Sequence, residues 1–202
     1  MITIHAKDNT ERENKKLLSG TILPRPIALV STMQENGKIN MAPFSYFNIV
    51  SAKPPLVSIS VRYDGGNQKD TSRNILREKE FVVHIITPDY MEKANETATP
   101  LDKDESEVEY AGLTPLESTS INTFGIKESK VRMECKYVTH VPFEETDLII
   151  GEVITFHIDE SIYEEGKINT RQLNPISRLS GARFSLIGDI IAMERPTKKT
   201  HK

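Results

Sequence analysis

Ile27-Ala28-Leu29-Val30-Ser31-Thr32, then Asn36-Gly37, then Ile39-Asn40-Met41-Ala42: these three pieces decide the fold. The first is apolar, partly β-branched and bounded by turn residues, which reads as a strand. Asn-Gly is a strong hairpin signal, because both residues tolerate a positive φ. The chain is expected to return antiparallel through Ile39 to Ala42. Pro43 is expected to end regular pairing or to sit at a bulge, since it has no N–H to donate.

Working outward, Pro24-Arg25-Pro26 forces an extended approach to the first strand. Before it, Glu11 to Leu18 is a charged helical candidate, with Gly20 as its stop. After the hairpin, Leu56 to Arg62 alternates: Val57, Ile59 and Val61 face one way, and Ser58, Ser60 and Arg62 the other. Phe81 to Ile86 and Val131 to Val138 read as further strands. Leu148 to Ile158 is a long one, interrupted at Gly151 by a bend or bulge, and Phe184 to Ile187 is the last. Lys69 to Arg77 has a helix-start pattern, with Asp70 or Thr71 as N-cap. Pro88 to Thr97 is a second helix. Asp102 to Tyr110 is acidic, and reads as a third helix or an exposed loop; its run Asp102 to Glu107 is a solvated face or, instead, a loop that covers a ligand's approach. Many short strands with few long helices predict a mainly β fold, an antiparallel barrel with peripheral helices.

The 202 residues suit a single domain spanning 1–202, with its core at about 20–190. Apolar residues at 37% and charged residues at 27% describe a soluble globular chain. A net charge of -3 implies no broad surface for nucleic acid. The basic tail Lys198-Lys199-Thr200-His201-Lys202 is expected to be a solvated end. One cysteine, Cys135, excludes a disulfide within the chain and fits a cytoplasmic location. No apolar run approaches the ~20 residues of a membrane span, and no signal peptide is expected.

Several chemistries lack their signatures. Gly65-Gly66 lacks the third glycine of a dinucleotide fingerprint. His5, His84, His140, His157 and His201 are far apart, so no metal site is expected. Cys135 lies mid-strand and reads as a buried, inert thiol.

Two stretches carry more. Asn40 to Asn48 mixes small residues, amides, hydroxyls and three aromatics just after a hairpin strand. It can admit a flat ring against backbone, or it can be a strand-to-loop transition whose aromatics fill the core. The residues alone support both. Ser58, Ser60 and Arg62 on one strand face, followed by Lys69-Asp70-Thr71 at a helix start, could hold an anion. An ordinary capped helix with solvated basic residues explains them too.

Taken in order, these stretches resemble a known family. Arg25 to Thr32, Asn40 to Asn48, Pro54 to Val57, Lys69 to Ile75, Glu134-Cys135, Ile150 to Val153 and Asn174 to Gly181 together are similar to the flavin reductase-like, FMN-binding split-barrel family. That family includes flavoredoxin and nitrilotriacetate monooxygenase component B. The resemblance implies a homodimer with FMN at its interface. It places Ser31, Thr32, Asn40, Ala42, Ser45, Tyr46 and Phe47 around the isoalloxazine and ribityl chain. It places Ser60, Arg62, Lys69, Asp70 and Thr71 around the phosphate, with Arg178 and Gly181 closing the site. Many members carry glycine at Ser180 and tyrosine at Phe184, so a contact through that phenol is absent here. The implied activity is hydride transfer from NADH or NADPH to FMN, with a flavin-dependent monooxygenase as a partner. No catalytic side chain is required for that step. The alternative is a flavoredoxin-like electron-transfer protein with no NAD(P)H turnover of its own.

Overall fold

The computed structural model describes residues 1–102 and 104–196; the basic tail Lys198 to Lys202 lies outside the described residues. Seven strands form one sheet: β1 (Ala28–Met33), β2 (Ile39–Phe44), β3 (Phe47–Ala52), β4 (Pro55–Arg62), β5 (Glu80–Ile85), β6 (Val131–Phe143) and β7 (Thr146–Ile158). Their order is β2-β1-β5-β6-β7-β4-β3, and every neighbouring pair is antiparallel. The two outermost strands, β2 and β3, are joined by Ser45 and Tyr46 alone. Seven strands laid flat would be roughly 28 Å wide. The three Cα steps from Phe44 to Phe47 reach at most about 11 Å. The sheet must therefore curl until its edges meet. The β3–β4 ladder runs on into this junction, where the Ser60 N–H donates to the Tyr46 carbonyl at 2.9 Å. The result is a split antiparallel β-barrel with helices at its periphery, as the strand pattern predicts.

The hairpin forms as expected. β1 and β2 pair from Ala28–Phe44 to Met33–Ile39, and Gly37 turns the chain at φ 81°. Pro43 departs from expectation. It neither ends the strand nor makes a bulge, but pairs opposite Leu29 in a continuous ladder. Its parity explains this. Met41, two residues earlier, points its N–H away from β1, to the Glu107 carboxylate at 3.0 Å. Pro43 turns the same way, so its missing N–H removes no bond from the ladder.

Alternation divides the apolar residues between two cores. Ala28 and Val30 join Val57, Ile59, Val61, Phe81, Val83 and Cys135 inside the barrel. Leu29 and Met41 face outward, and pack with Tyr90, Ala94, Val108 and Ile126 under the peripheral segments. Those segments are a 3₁₀ turn at Pro88–Tyr90 running into a helix at Met91–Glu96, and a short helix at Glu107–Tyr110. Burial raises the Cys135 thiol well above its usual range, which keeps it protonated and inert. Gly151 sits at a register shift between β6 and β7, as its position in a long strand suggested. A Cβ there would come within 2.6 Å of Phe81 Cε1. The glycine thus makes room for Phe81, the largest fully buried side chain among the described residues.

His84 is fully buried. Leu29 O lies 2.9 Å from its Nδ1, and its Nε2 accepts the Ile126 N–H at 3.1 Å. The Nδ1–H tautomer satisfies both bonds, so the ring is neutral. Burial first, and the Arg132 charge after it, push its pKa down to about 4.

Two predictions follow from the core. Gly151→Ala should cost about 2–3 kcal/mol by overpacking against Phe81, read as a lower urea midpoint that Phe81→Leu partly restores. His84 has a folded pKa below its unfolded value of 6.5. Its contribution is therefore complete above pH 6.5 and lost as pH falls through about 4, a total of about 3 kcal/mol. Urea unfolding across that window should show His84→Gln with a flatter pH dependence than the parent. Parallel curves would refute the assignment.

Candidate functional site

A cleft of about 780 Å³ opens beside the seam of the barrel. Three elements build it. The first is the Ser45–Tyr46 junction, with Ser60 and Arg62 from the polar face of β4. The second is α1 (Glu11–Thr21), which lies over the opening. The third is a small ribbon, in which Ser177–Arg178 pairs with both Arg25–Pro26 and Phe184–Ser185. Met91, Ala94, Asn95 and Ala98 close the far wall.

α1 is held by polar tethers and buries no residue of its own. Its start carries a capping box: the Glu13 N–H donates to the Thr10 hydroxyl at 3.3 Å, and the Thr10 N–H donates to the Glu13 carboxylate at 2.8 Å. Glu11 pairs with Arg62 of β4. At the other end, the Arg25 guanidinium donates to the carbonyls of Ser19 and Ile22, both at 2.8 Å, and to Leu179 at 3.0 Å. This corrects the expected stop at Gly20. The helix runs on to Thr21, because Arg25 takes up its open C-terminal carbonyls.

The start of α2 (Asp70–Glu78) is also corrected. Lys69 is the N-cap, and it makes no side-chain capping bond. Asp70 pairs with Arg73. The Thr71 hydroxyl instead accepts from Asn40 Nδ2 at 3.1 Å in the interior. Asn40 Nδ2 and Asn74 Nδ2 each donate to the Thr32 hydroxyl at 3.0 Å. A buried polar network thus pins α2 onto β1 and β2.

The sequence-predicted residues fall into three groups. Ser45, Tyr46, Ser60, Arg62, Lys69, Arg178 and Gly181 line the cleft. Phe47 lines an adjoining, more apolar hollow that shares Arg25, Ser45, Tyr46 and Ser60 with it. Ser31, Thr32, Asn40, Ala42, Asp70 and Thr71 do not line it. Ser31 is buried, donating to Phe124 O at 2.6 Å; Ala42 packs on the barrel core; Asp70 is exposed beside Arg73. Of the acidic stretch, Ser106 and Glu107 lie against the outer edge of β2: the Ser106 hydroxyl donates to Ile39 O at 2.6 Å, and the Glu107 carboxylate accepts from Met41 N.

Five groups were missed from sequence. Arg12, Lys15 and Lys16 line the cleft from α1; their spacing along the helix was the available signal. Arg25 was quoted only as part of a motif. Its partner across the ribbon is Arg178. Burial, and then the Arg25 charge, lower the pKa of Arg178. Arg178 stacks its guanidinium 4.5 Å from the Phe184 ring centroid and donates to Gly181 O at 2.6 Å. Arg25 is 8% exposed, and its Nε has no partner. Like charges directly opposite are unfavourable; here each guanidinium is held by backbone carbonyls, Arg25 by three and Arg178 by Gly181 O. Asp147, fully buried, accepts from the Tyr63 hydroxyl at 3.0 Å and from Gln68 Nε2 and the Ser72 hydroxyl at 2.8 Å each. It thereby fixes the segment that delivers Lys69. In all, seven cations line the cleft against one carboxylate, Asp64. Among the described residues, no group of three or more His, Cys, Asp or Glu side chains is gathered to hold a metal, and no helix is long and apolar enough to cross a membrane.

Residues 19–175 match the family model for a flavin reductase like domain. The chain belongs to the flavin reductase-like family. Bacillus subtilis YwrF is 44% identical to this family member, over 98% of this chain and 100% of its own. Nitrilotriacetate monooxygenase component B from Bacillus cereus is 45% identical and superposes with a TM-score of 0.94, over 96% of this chain and 98% of that one. The 2-nitrobenzoate 2-nitroreductase NbaA of Pseudomonas fluorescens is 28% identical, with a TM-score of 0.89 over 97% of each chain.

Asp147→Asn tests the scaffold of the cleft. An amide offers one acceptor oxygen, where the carboxylate serves three donors. The variant should lose about 2–3 kcal/mol, seen as a lower Tm. An unchanged Tm would show that the three bonds add nothing to stability.

Proposed function

We propose that this chain binds FMN in the cleft and acts as an NAD(P)H-dependent flavin reductase. One observation carries the reading: in a flavin reductase-like domain, a buried arginine with an unpartnered Nε faces a second arginine at the edge of a cation-lined cleft. The residues present fit the group. FMN ends in a dianionic phosphate, which Lys69 and Arg178 can meet with charge-assisted bonds. Its ring system is flat and polar at one edge. Tyr46, Phe47 and Phe184 offer aromatic faces, and the Ser45 and Ser60 hydroxyls offer donors and acceptors.

Bound FMN supplies the acceptor for hydride from a nicotinamide cofactor. The chain's own task is to hold two planar rings in contact and to exclude water. Arg25, its guanidinium held by three carbonyls, lines the cleft and would favour an anion bound there. No side-chain acid or base is assigned.

A homodimer is part of the proposal. Ile49 and Val50 on β3, Val138, Val141 and Phe143 on β6, and Phe156 on β7 are exposed apolar side chains of the kind a second copy covers. By likeness to the Bacillus cereus component B, reduced flavin would pass to a partner monooxygenase.

The test is FMN titration followed by visible absorption, then anaerobic NADH or NADPH. The expected result is a bound flavin bleached by the nicotinamide, with Lys69→Ala and Arg178→Ala each weakening FMN by about tenfold or more. Bound flavin that is never bleached would leave electron relay in place of reductase activity. No uptake of FMN would overturn the reading.

A further inference from the structure

α1 presents a charged face to the cleft. Arg12, Lys15, Lys16 and Ser19 fall at i, i+3, i+4 and i+7, which is one side of a helix, and all four line the cavity. Among the described residues, none of the three cations has an ion-pair partner. Arg62 is engaged by Glu11 and Glu145, and Arg25 by three carbonyls. Like charges at i, i+3 and i+4 repel and weaken a helix. Glu11, four positions before Lys15, and Glu13, three before Lys16, offset part of that repulsion, and no buried residue adds to the offset. Packing therefore does not account for the basic face, whereas a further anion in the cleft would.

We propose that the basic face of α1 recognises the ribose 2′-phosphate of a nicotinamide dinucleotide, so that the chain takes NADPH in preference to NADH. This rests on the reductase reading above. Charge supports it. The flavin phosphate is met by Lys69 and Arg178, and three cations remain on α1. The two dinucleotides differ by one phosphate monoester, which carries about −1.5 to −2 at neutral pH. The kind of side chain supports it as well. A pyrophosphate in mid-molecule is commonly held by backbone N–H groups at a helix start. A terminal monoester dianion is reachable from several sides, which suits Lys and Arg on an exposed helix. α1 is tied at both ends by Arg62 and Arg25, so its basic face is held toward the cleft.

The experiment uses FMN-loaded full-length protein. Steady-state kcat/KM for NADPH should exceed that for NADH by about tenfold or more. The triple variant Arg12→Gln, Lys15→Gln, Lys16→Gln should bring the ratio close to one. The charge-keeping variant Lys15→Arg, Lys16→Arg should retain it. Calorimetry gives a readout independent of turnover: adenosine 2′,5′-bisphosphate should bind tighter than adenosine 5′-monophosphate, and the triple variant should erase the difference. Equal use of the two dinucleotides, an equal loss for both in the triple variant, or no preference between the two adenosine probes would overturn the proposal. Failure of the parent protein to take up FMN is a separate outcome. It would overturn the reductase reading, while the adenosine probes still report on α1.

Discussion

The fold turns on a short connection. β2 and β3 lie at opposite ends of a seven-stranded order, yet two residues, Ser45 and Tyr46, join them. A flat sheet cannot satisfy that join, so closure follows from covalent reach before any packing is considered. Closure in turn encloses one apolar core and leaves a second outside, under the peripheral helices. The same two residues line the cleft. The place where the barrel is weakest as a sheet is therefore where a ligand can approach backbone.

Around that seam, arginines do work that apolar contacts do elsewhere. Arg62 and Arg25 fasten the two ends of a helix that buries nothing. Arg25 also brings its charge opposite Arg178. Each bond to a carbonyl favours the guanidinium, but the juxtaposition of two such groups does not favour the fold. The cleft thus gathers seven cations against a single lining carboxylate, Asp64.

The strands were legible because alternation and turn chemistry are local. Val57, Ile59 and Val61 against Ser58, Ser60 and Arg62 read directly as two faces, and Asn36-Gly37 as a turn. The exceptions have long-range causes. Pro43 is tolerated because of its parity on an edge strand, which depends on what lies beside β2. Gly20 does not stop its helix because Arg25 supplies the missing donors from beyond it. The site was legible in part. Ser45, Tyr46, Ser60, Arg62, Lys69, Arg178 and Gly181 meet at one cleft. Thr32, Asn40 and Thr71 were grouped with them on chemistry that serves the interior network equally well. Arg25 and Leu179, bonded although 154 positions apart, carry no local signal of their meeting.

The outer edge of β2 has a consequence for how the molecule associates. A bare edge strand offers unpaired N–H and C=O groups to any other chain. Here the Ser106 hydroxyl and the Glu107 carboxylate have already engaged Ile39 O and Met41 N, and Pro43 has no N–H to offer. Burial raises the pKa of Glu107, a cost of keeping a carboxylate at that post. The strand is closed to β-augmentation on that side. A second copy of this chain therefore cannot extend the sheet through that stretch of β2.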